Sequence, residues 1–351
     1  MIVTGRDQSL PQKIEAMKKL LLLFLLIIST DLHSQDLSAN LSTVAGQYAQ
    51  SYLQPFIDVY GAGVNSGFFN TVKLNSNSDS KLTITLSVKS MGSFVPSNSK
   101  TFSAVYNTST SYDTLGQTYI VNATATVKNA PTIFGSSNKG TVTTNISDTI
   151  VVGGVFHYPI HRTRVDQTFG GLVTTDVAPF LVPQLDIGTV LGTQFMLRWI
   201  PPVQIGNYGT TNFFGIGLRH NLSQYIGGIP FNLAGGFYYQ NFSMKDTAGN
   251  QFINSTAVAA NLQISKNLGL IELYGAFQYE SSSLNAAYAY ISSSSGQNPN
   301  YTVNVNFNIK GKNTLRILGG ASLSTGGFFI NADFNLASTN TFTFGIGYNI
   351  F

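Results

Sequence analysis

The sequence predicts an all-β protein: a transmembrane antiparallel β-barrel of about fourteen strands, with twelve as the alternative count, and a short N-terminal helical plug or cap. Three observations predict it. Only 10% of the 351 residues are charged, while 43% are hydrophobic and 12% aromatic, against roughly 25% charged in an ordinary soluble domain. Apolar and polar residues alternate with a period of two along much of the chain. The last residues, NTFTFGIGYNIF, make a strand whose every second residue is large and apolar, where the end of a soluble protein usually frays. The absence of cysteine excludes disulfides, thiolate catalysis, Cys-based metal sites and a lipid-anchored N-terminal cysteine.

The N-terminus sets the compartment. From Met17, MKKLLLLFLLIIST joins Lys18 and Lys19 to an uninterrupted apolar run over 20–28, followed by polar DLHSQ. This is the three-part pattern of a cleaved secretory signal, and its run is well short of the ~20 residues a spanning helix needs. Cleavage is expected near Ser34/Gln35, and residues 1–16 read as an extension ahead of the true start. The domain reading is therefore extension plus signal over 1–34, plug or cap over 35–67, and barrel over 68–351. No basic cluster survives in the exported part, so nucleic acid is not an expected partner.

Next comes LSTVAGQYAQSYLQPF, residues 41–56. Leu41, Val44, Ala45, Tyr48, Tyr52 and Phe56 fall at helical spacing, and Ser38 or Asn40 is placed to cap the start. A ring of twelve to fourteen strands is wider than the eight whose side chains just fill the interior. This apolar stripe is the nearest segment to fill or cover it.

The strands follow from parity, because successive side chains point to opposite faces. In YTVNVNFNIK, Tyr301, Val303, Val305, Phe307 and Ile309 form the apolar wall, while Asn306, Asn308 and Lys310 face the lumen. GFFINADFNLA sets Phe328, Ile330, Phe334 and Leu336 against Asn331, Asp333 and Asn335. LIELYGAFQYE sets Ile271, Leu273, Phe277 and Tyr279 against Glu272, Gln278 and Glu280. Similar runs at 193–201, 211–222, 229–242, 253–265 and 314–324, with the terminal strand, make nine. Five further runs, at 68–75, 81–90, 101–107, 118–128 and 141–152, bring the expected count to fourteen. The stretch 153–190, with three prolines after His157, reads as a long excursion.

A soluble β-sandwich alternates in the same way. The barrel is favoured because the polar faces carry Asn, Gln, Thr, Ser and Gly with single charges, as in a crowded, partly wet lumen. Trp199, Tyr239, Tyr279, Tyr301 and Tyr348 also recur toward strand ends, where interfacial girdles lie. In lipid only a closed barrel satisfies every strand backbone group. Phe351 marks the terminal aromatic of an assembly signal, although its parity matches Thr343, Gly345, Gly347 and Asn349 rather than the apolar face.

Parity sends Arg198, Arg219, Glu272, Glu280, Lys310, Arg316 and Asp333 into the lumen. Their mixed signs suit mutual pairing in a filled interior as well as a conduction path. Catalytic chemistry is thin. His157 and His161 in HYPIH would sit about 13 Å apart on a strand at ~3.3 Å per residue, too far to share one ion. His220 has Leu218 and Leu222 two residues away, with no nucleophile in register. No catalytic residue, metal or cofactor is expected.

The segments AGQYAQSYLQPFIDVYGAGVNSGFFNTVKL, KTFSAVYN, PTIFG, VPQLDIGTVLGTQFMLRWIPP and GIGLRHNLSQYIGGIPFNLAGGFYY, in that order, resemble a Gram-negative outer-membrane barrel family catalogued as a domain of unknown function. More distantly the layout is similar to the long-chain fatty-acid and aromatic-hydrocarbon transporters of the outer membrane, whose Asn-Pro-Ala hatch motif is absent, so no binding residue carries over. The resemblance implies an outer-membrane location. Outer-membrane lipids and the barrel assembly machinery are then partners, and a hydrophobic small molecule is a candidate ligand. The expected function is passive transport of small or hydrophobic solutes; the alternative is a structural or interaction barrel with a filled, non-conducting lumen.

Overall fold

The computed structural model describes residues 46–76, 82–114, 117–152, 155–204, 209–246, 248–292 and 301–350. The expected signal segment, Leu41, Val44 and Phe351 lie outside the described residues. Among the described residues one α-helix, α1 (Gly46–Val64), precedes fifteen strands. These are β1 (Thr83–Phe94), β2 (Thr101–Thr114), β3 (Gln117–Pro131), β4 (Thr141–Val152), β5 (Phe156–Gln167), β6 (Val177–Gly188), β7 (Thr193–Gln204), β8 (Thr210–Asn221), β9 (Asn232–Lys245), β10 (Gln251–Leu268), β11 (Ile271–Ser292), β12 (Tyr301–Lys310), β13 (Leu315–Thr325), β14 (Phe328–Leu336) and β15 (Thr341–Asn349).

Ten of them close an antiparallel ring in the order β1, β6, β7, β8, β9, β10, β11, β13, β14, β15 and back to β1. Following the register from Arg198 through Gly215, Gln240 and Ala257 reaches Ser282 on β11. The other way round, through Gln184, Ser87, Gly347, Phe329 and Ser324, it reaches Leu270. The twelve-residue stagger between 282 and 270 on one strand is the tilt that closure requires.

The count of fourteen is therefore corrected to ten. Eight of the nine alternating runs are wall strands. The ninth, β12, pairs only with the far half of the 22-residue β11 and continues the line of β13 beyond the ring. The runs at 101–107, 118–128 and 141–152 belong to β2, β3 and β4. With β5 these make a separate four-stranded sheet, inserted between β1 and β6. Period two identifies a strand but not the sheet it joins. Residues 68–75 form no strand, and the stretch 153–190 holds both β5 and the wall strand β6, whose prolines disguise it.

The outer face of the ring is apolar. Ile317 is 60% exposed, Leu273 50% and Phe344 47%, while Arg198 and Gln278, which point inward, are fully buried. Along β11 the same parity stays inward, but the chemistry of the two faces then changes over. Ile271, Leu273, Phe277 and Tyr279 point out and Glu272, Gln278 and Glu280 point in, but from Ser282 onward Leu284 and Ala286 are buried while Ser281 and Asn285 are exposed. On β12, Phe307 (5% exposed) and Ile309 (3%) pack inward with Tyr52, Leu53 and Ile57 of α1, leaving Asn306, Asn308 and Lys310 exposed. The assignment of Phe307 to the lipid wall and of Asn306 and Lys310 to the lumen is thus reversed. Above Tyr279 the exposed face of β11 and β12 is polar and the interior is an ordinary hydrophobic core.

The helix also differs from its expected span of 41–56, running on through Pro55 to Val64. A mid-helix proline removes one hydrogen bond, and packing inside the ring outweighs that loss. Gly61 allows the approach: a Cβ there would lie 2.2 Å from Ser282 Oγ.

The exchange of faces makes a mutational test. Phe334→Arg, in the exposed apolar row below the exchange, should cost assembly about 2–4 kcal/mol near mid-belt. Asn306→Arg, above it, should leave the heat-modifiable folded band on gels unchanged. Equal losses from the two would mean that no exchange occurs.

Candidate functional site

The interior is organised around the end of α1. A helix leaves its last four carbonyls without intrahelical partners and carries partial negative charge there. Here that end is enclosed by the wall, which must supply the donors. Arg316 Nη2 donates to Ala62 O (2.8 Å), Arg198 Nη1 to Val64 O (3.0 Å) and Gln240 Nε2 to Val64 O (2.7 Å). Arg198 Nη2 donates further to Ser66 O (2.9 Å) and Gly67 O (2.6 Å), and its remaining hydrogens reach Gln184 Oε1 and Gln240 Oε1. All five N–H donors of the Arg198 guanidinium are used. Its plane lies over Phe68, 4.7 Å from the ring centroid, and Phe68 in turn stacks on Tyr238. The turn off the helix needs Gly67, whose φ of +67° is the left-handed conformation glycine adopts freely.

From there residues 65–75 run through the ring as a strap held by its backbone. Gln278 donates to Asn65 O (2.8 Å), Gln184 to Phe68 O (2.9 Å), Arg219 to Thr71 O (2.5 Å) and Asn221 to Asn75 O (2.9 Å). Glu272 accepts from Val72 N (2.9 Å) and Thr71 Oγ1 (2.6 Å). Phe68, Phe69 and Val72 fill the space between these bonds against Met196, Tyr238, Tyr274 and Leu318.

Of the charges that parity sent inward, Arg198, Arg219, Glu272, Glu280, Arg316 and Asp333 are buried inside the ring. Lys310 is not. Only its carbonyl faces the helix, accepting from Gln54 Nε2 at 2.9 Å. Sequence reasoning missed Lys89 and Asp186, although Lys89 is fully buried among the inward residues of β1. The parity of Leu82, Ile84, Leu86 and Val88 would have located it. Besides Asp58, which meets Lys312 near the upper end, the described residues bury four basic side chains (Lys89, Arg198, Arg219, Arg316) and four acidic ones (Asp186, Glu272, Glu280, Asp333) in the ring. Among the described residues Arg316 and Glu280 are the one pair of these in direct contact, at 2.8 Å and both buried. The rest are spaced by amides and hydroxyls, as where Lys89 Nζ meets Asn331 Oδ1 (3.0 Å) and Asp333 accepts from Tyr274 and Asn335.

At the upper end Tyr52 of the expected stripe sits within the core, with Tyr48 and Phe56 partly buried against it. Tyr48 packs on Tyr52 and Phe102, Phe56 stacks on Tyr60, and the Tyr52 hydroxyl donates to Gly170 O at 2.9 Å. Burial pushes the Tyr52 phenol above its ordinary pKa. Asp58 fixes the break between β12 and β13, accepting Lys312 N (2.9 Å) beside the Lys312 ammonium (3.4 Å). At the opposite end a polar hollow of about 160 Å³ lies between Thr71, Thr85, Gln194 and Asn349. His157 and His161 are exposed on β5, and His220 is held by Thr193, Gln224 and Tyr225. The described residues contain no group of three or more potential metal ligands.

A family model described as "Family of unknown function (DUF6588)" matches residues 17–350. No curated protein matches the chain. Among solved structures it is similar to the outer-membrane protein OmpT of Vibrio cholerae, with 9% identity over 77% of this chain and 99% of that one and a TM-score of 0.23. It is also similar to the toluene transporter TodX of Pseudomonas putida (9%, 83% and 97%, TM-score 0.24) and to the CymD monoaromatic hydrocarbon channel (7%, 83% and 96%, TM-score 0.22). At these TM-scores none of the likenesses bears on what this chain does.

The carbonyls of Ser66 and Gly67 depend on Arg198, and Val64 O shares it with Gln240. Arg198→Met should lower stability by about 3 kcal/mol or more, since each buried acceptor left unpaired costs ~1–3 kcal/mol. The measurement is the temperature at which the folded band is lost on semi-native gels. An unchanged temperature would show that Arg198 does not hold the strap.

Proposed function

From the premise that the chain belongs to the DUF6588 family of unknown function, we propose that it is an outer-membrane barrel of a Gram-negative bacterium with a closed lumen. In this role it is a structural or interaction barrel, not an open pore. The observation that carries this is the bonding of the strap: wall side chains reach backbone atoms of residues 62–75 from opposite sides of the ring. The exposed apolar belt supplies the membrane-facing surface, since a contiguous apolar exterior of this extent is untenable in water. Beyond the belt, the sheet β2–β5 and the β11–β12 extension are the parts available to the surroundings. The assembly machinery and outer-membrane lipids are the partners this placement implies.

Passive transport of small or hydrophobic solutes is the second reading. The polar hollow beside Thr71 and Asn75, at the end of the ring opposite Tyr52, favours it. In that case the strap moves aside to conduct.

Planar-bilayer recording separates the two. The signal-processed chain should show no steady conductance. The doubly substituted Arg198→Met, Arg316→Met protein, folded by the gel criterion, should conduct or flicker, because both caps on the helix end are gone. Steady conductance from the unsubstituted chain would overturn the closed-lumen reading in favour of transport.

A further inference from the structure

The ring is not zipped to the same height all the way round. β1 and β6 pair over twelve rungs, but β6 and β7 pair over five, from Gly188 opposite Gln194 to Gln184 opposite Arg198. Continued in the same register, the next rungs would set Pro183 against Trp199, Val182 against Ile200, Leu181 against Pro201, Phe180 against Pro202 and Pro179 against Val203. Four of these five hold a proline, which has no N–H to give to a ladder. The next pairing round the ring is irregular at the same height, with a register shift between Ile200 and Val203 where β7 meets β8. The gap is thus written into the sequence, as VAPFLVPQ on one edge and RWIPPVQ on the other.

What lies behind the gap differs from the rest of the interior. Met196, inward-facing in the zipped part, is buried at 2% exposure, and Val182, inward-facing on the second rung of the gap, is still fully buried. Phe180 and Ile200, inward-facing beside the gap, are only half-buried, as are Phe56 and Tyr60 on the helix behind them. These side chains form one aromatic wall. Tyr60 meets Phe180 at 5.9 Å and Phe242 at 5.3 Å between ring centroids, and Phe180 meets Phe213 at 5.1 Å.

What lies in front is the apolar belt, at its upper margin. The outward residues of β7 at this point are Phe195, Leu197 and Trp199, with Trp199 53% exposed, and Leu185 and Pro183 flank it on β6. An open sheet edge is not tolerated within hydrocarbon, so the unpaired carbonyls belong at the lipid–water boundary. Behind these edges lie the aromatic side chains of Phe180 and Tyr60.

We propose that this seam is a binding site for one acyl chain of a membrane lipid, taken in sideways between β6 and β7. The polar ester end of the lipid stays beside the open strand edges, and its chain lies on Phe180, Ile200 and Tyr60. This rests on the membrane placement proposed above. It requires no passage through the lumen.

The chain supplies its own probe, because Trp199 is its single tryptophan. The protein is reconstituted in bilayers containing phosphatidylcholine brominated on its acyl chains, which quenches tryptophan on contact. In the parent, Trp199 should be quenched from the outside. With Trp199→Phe in place, Ile200→Trp should lose most of its emission although it points inward, while Met196→Trp, inward in the zipped part, should keep it. Should either tryptophan block assembly, cysteines at 200 and 196, in a chain that otherwise has none, carry a spin label read for broadening by membrane-dissolved oxygen. A bright residue 200 beside a quenched Trp199 would overturn the acyl-chain site and leave the membrane placement standing. An unquenched Trp199 would overturn both.

Discussion

A helix that ends inside a β-barrel must have its last carbonyls satisfied by the wall. α1 stops at Val64 within the ring, where the carbonyls of Ala62, Val64, Ser66 and Gly67 need donors. Two guanidiniums, Arg198 and Arg316, supply most of them, and the positive charge of both suits the negative end of the helix. Their burial is costly unless every donor and counter-charge is matched, and the surroundings follow from that. Glu280 lies against Arg316, Gln184 and Gln240 flank Arg198, and the four basic side chains buried in the ring are matched by four acidic ones. The strap then has one path through the ring, because most of its bonds are to backbone and fix register rather than side-chain identity.

The same constraint explains why ten strands suffice. A wider ring would leave water around a single helix and strap. Here Phe68 against Tyr238 and Val64 against Met91 and Phe213 close the remaining space. The interior has two regimes: amides and charges gripping a backbone in the lower part, and aliphatic and aromatic packing around α1 in the upper part.

The wall was legible in the sequence where each strand has an exposed apolar face on one side and the polar interior on the other. Arg198, Arg219, Glu272, Glu280, Arg316 and Asp333 stand at the parity that points inward for that reason. The reading failed where the environment changed while the period did not. β12 alternates as regularly as β14, yet its exposed face is polar and α1 lies inside it, so Phe307 and Lys310 exchange the roles that parity alone assigns. The strands β2–β4 failed for a related reason: alternation reports a two-faced strand, and only pairing partners place it in the wall or in a separate sheet. Lys89 and Asp186 lay in β1 and β6, one flanked by weaker alternation and the other hidden by prolines.

Those prolines join the two halves of the structure. A ring with a gap between β6 and β7 would ordinarily flood or adopt another closure, since an unpaired edge seeks a partner strand. Below the gap the five rungs ending at Arg198 keep the ring shut, and Arg198 is the residue that caps the helix. Above it the helix itself stands behind the opening, with Gly63 close enough that a Cβ would touch Phe180 and with Tyr60 against Phe180. The residue that ends the zipped part of the wall therefore also fixes the element that backs the open part. A barrel can dispense with ladder bonds at one seam when a separately anchored helix closes the interior there. Every bond that holds that helix, from Arg316 on Ala62 to Lys312 on Asp58, then helps to set the width of the opening.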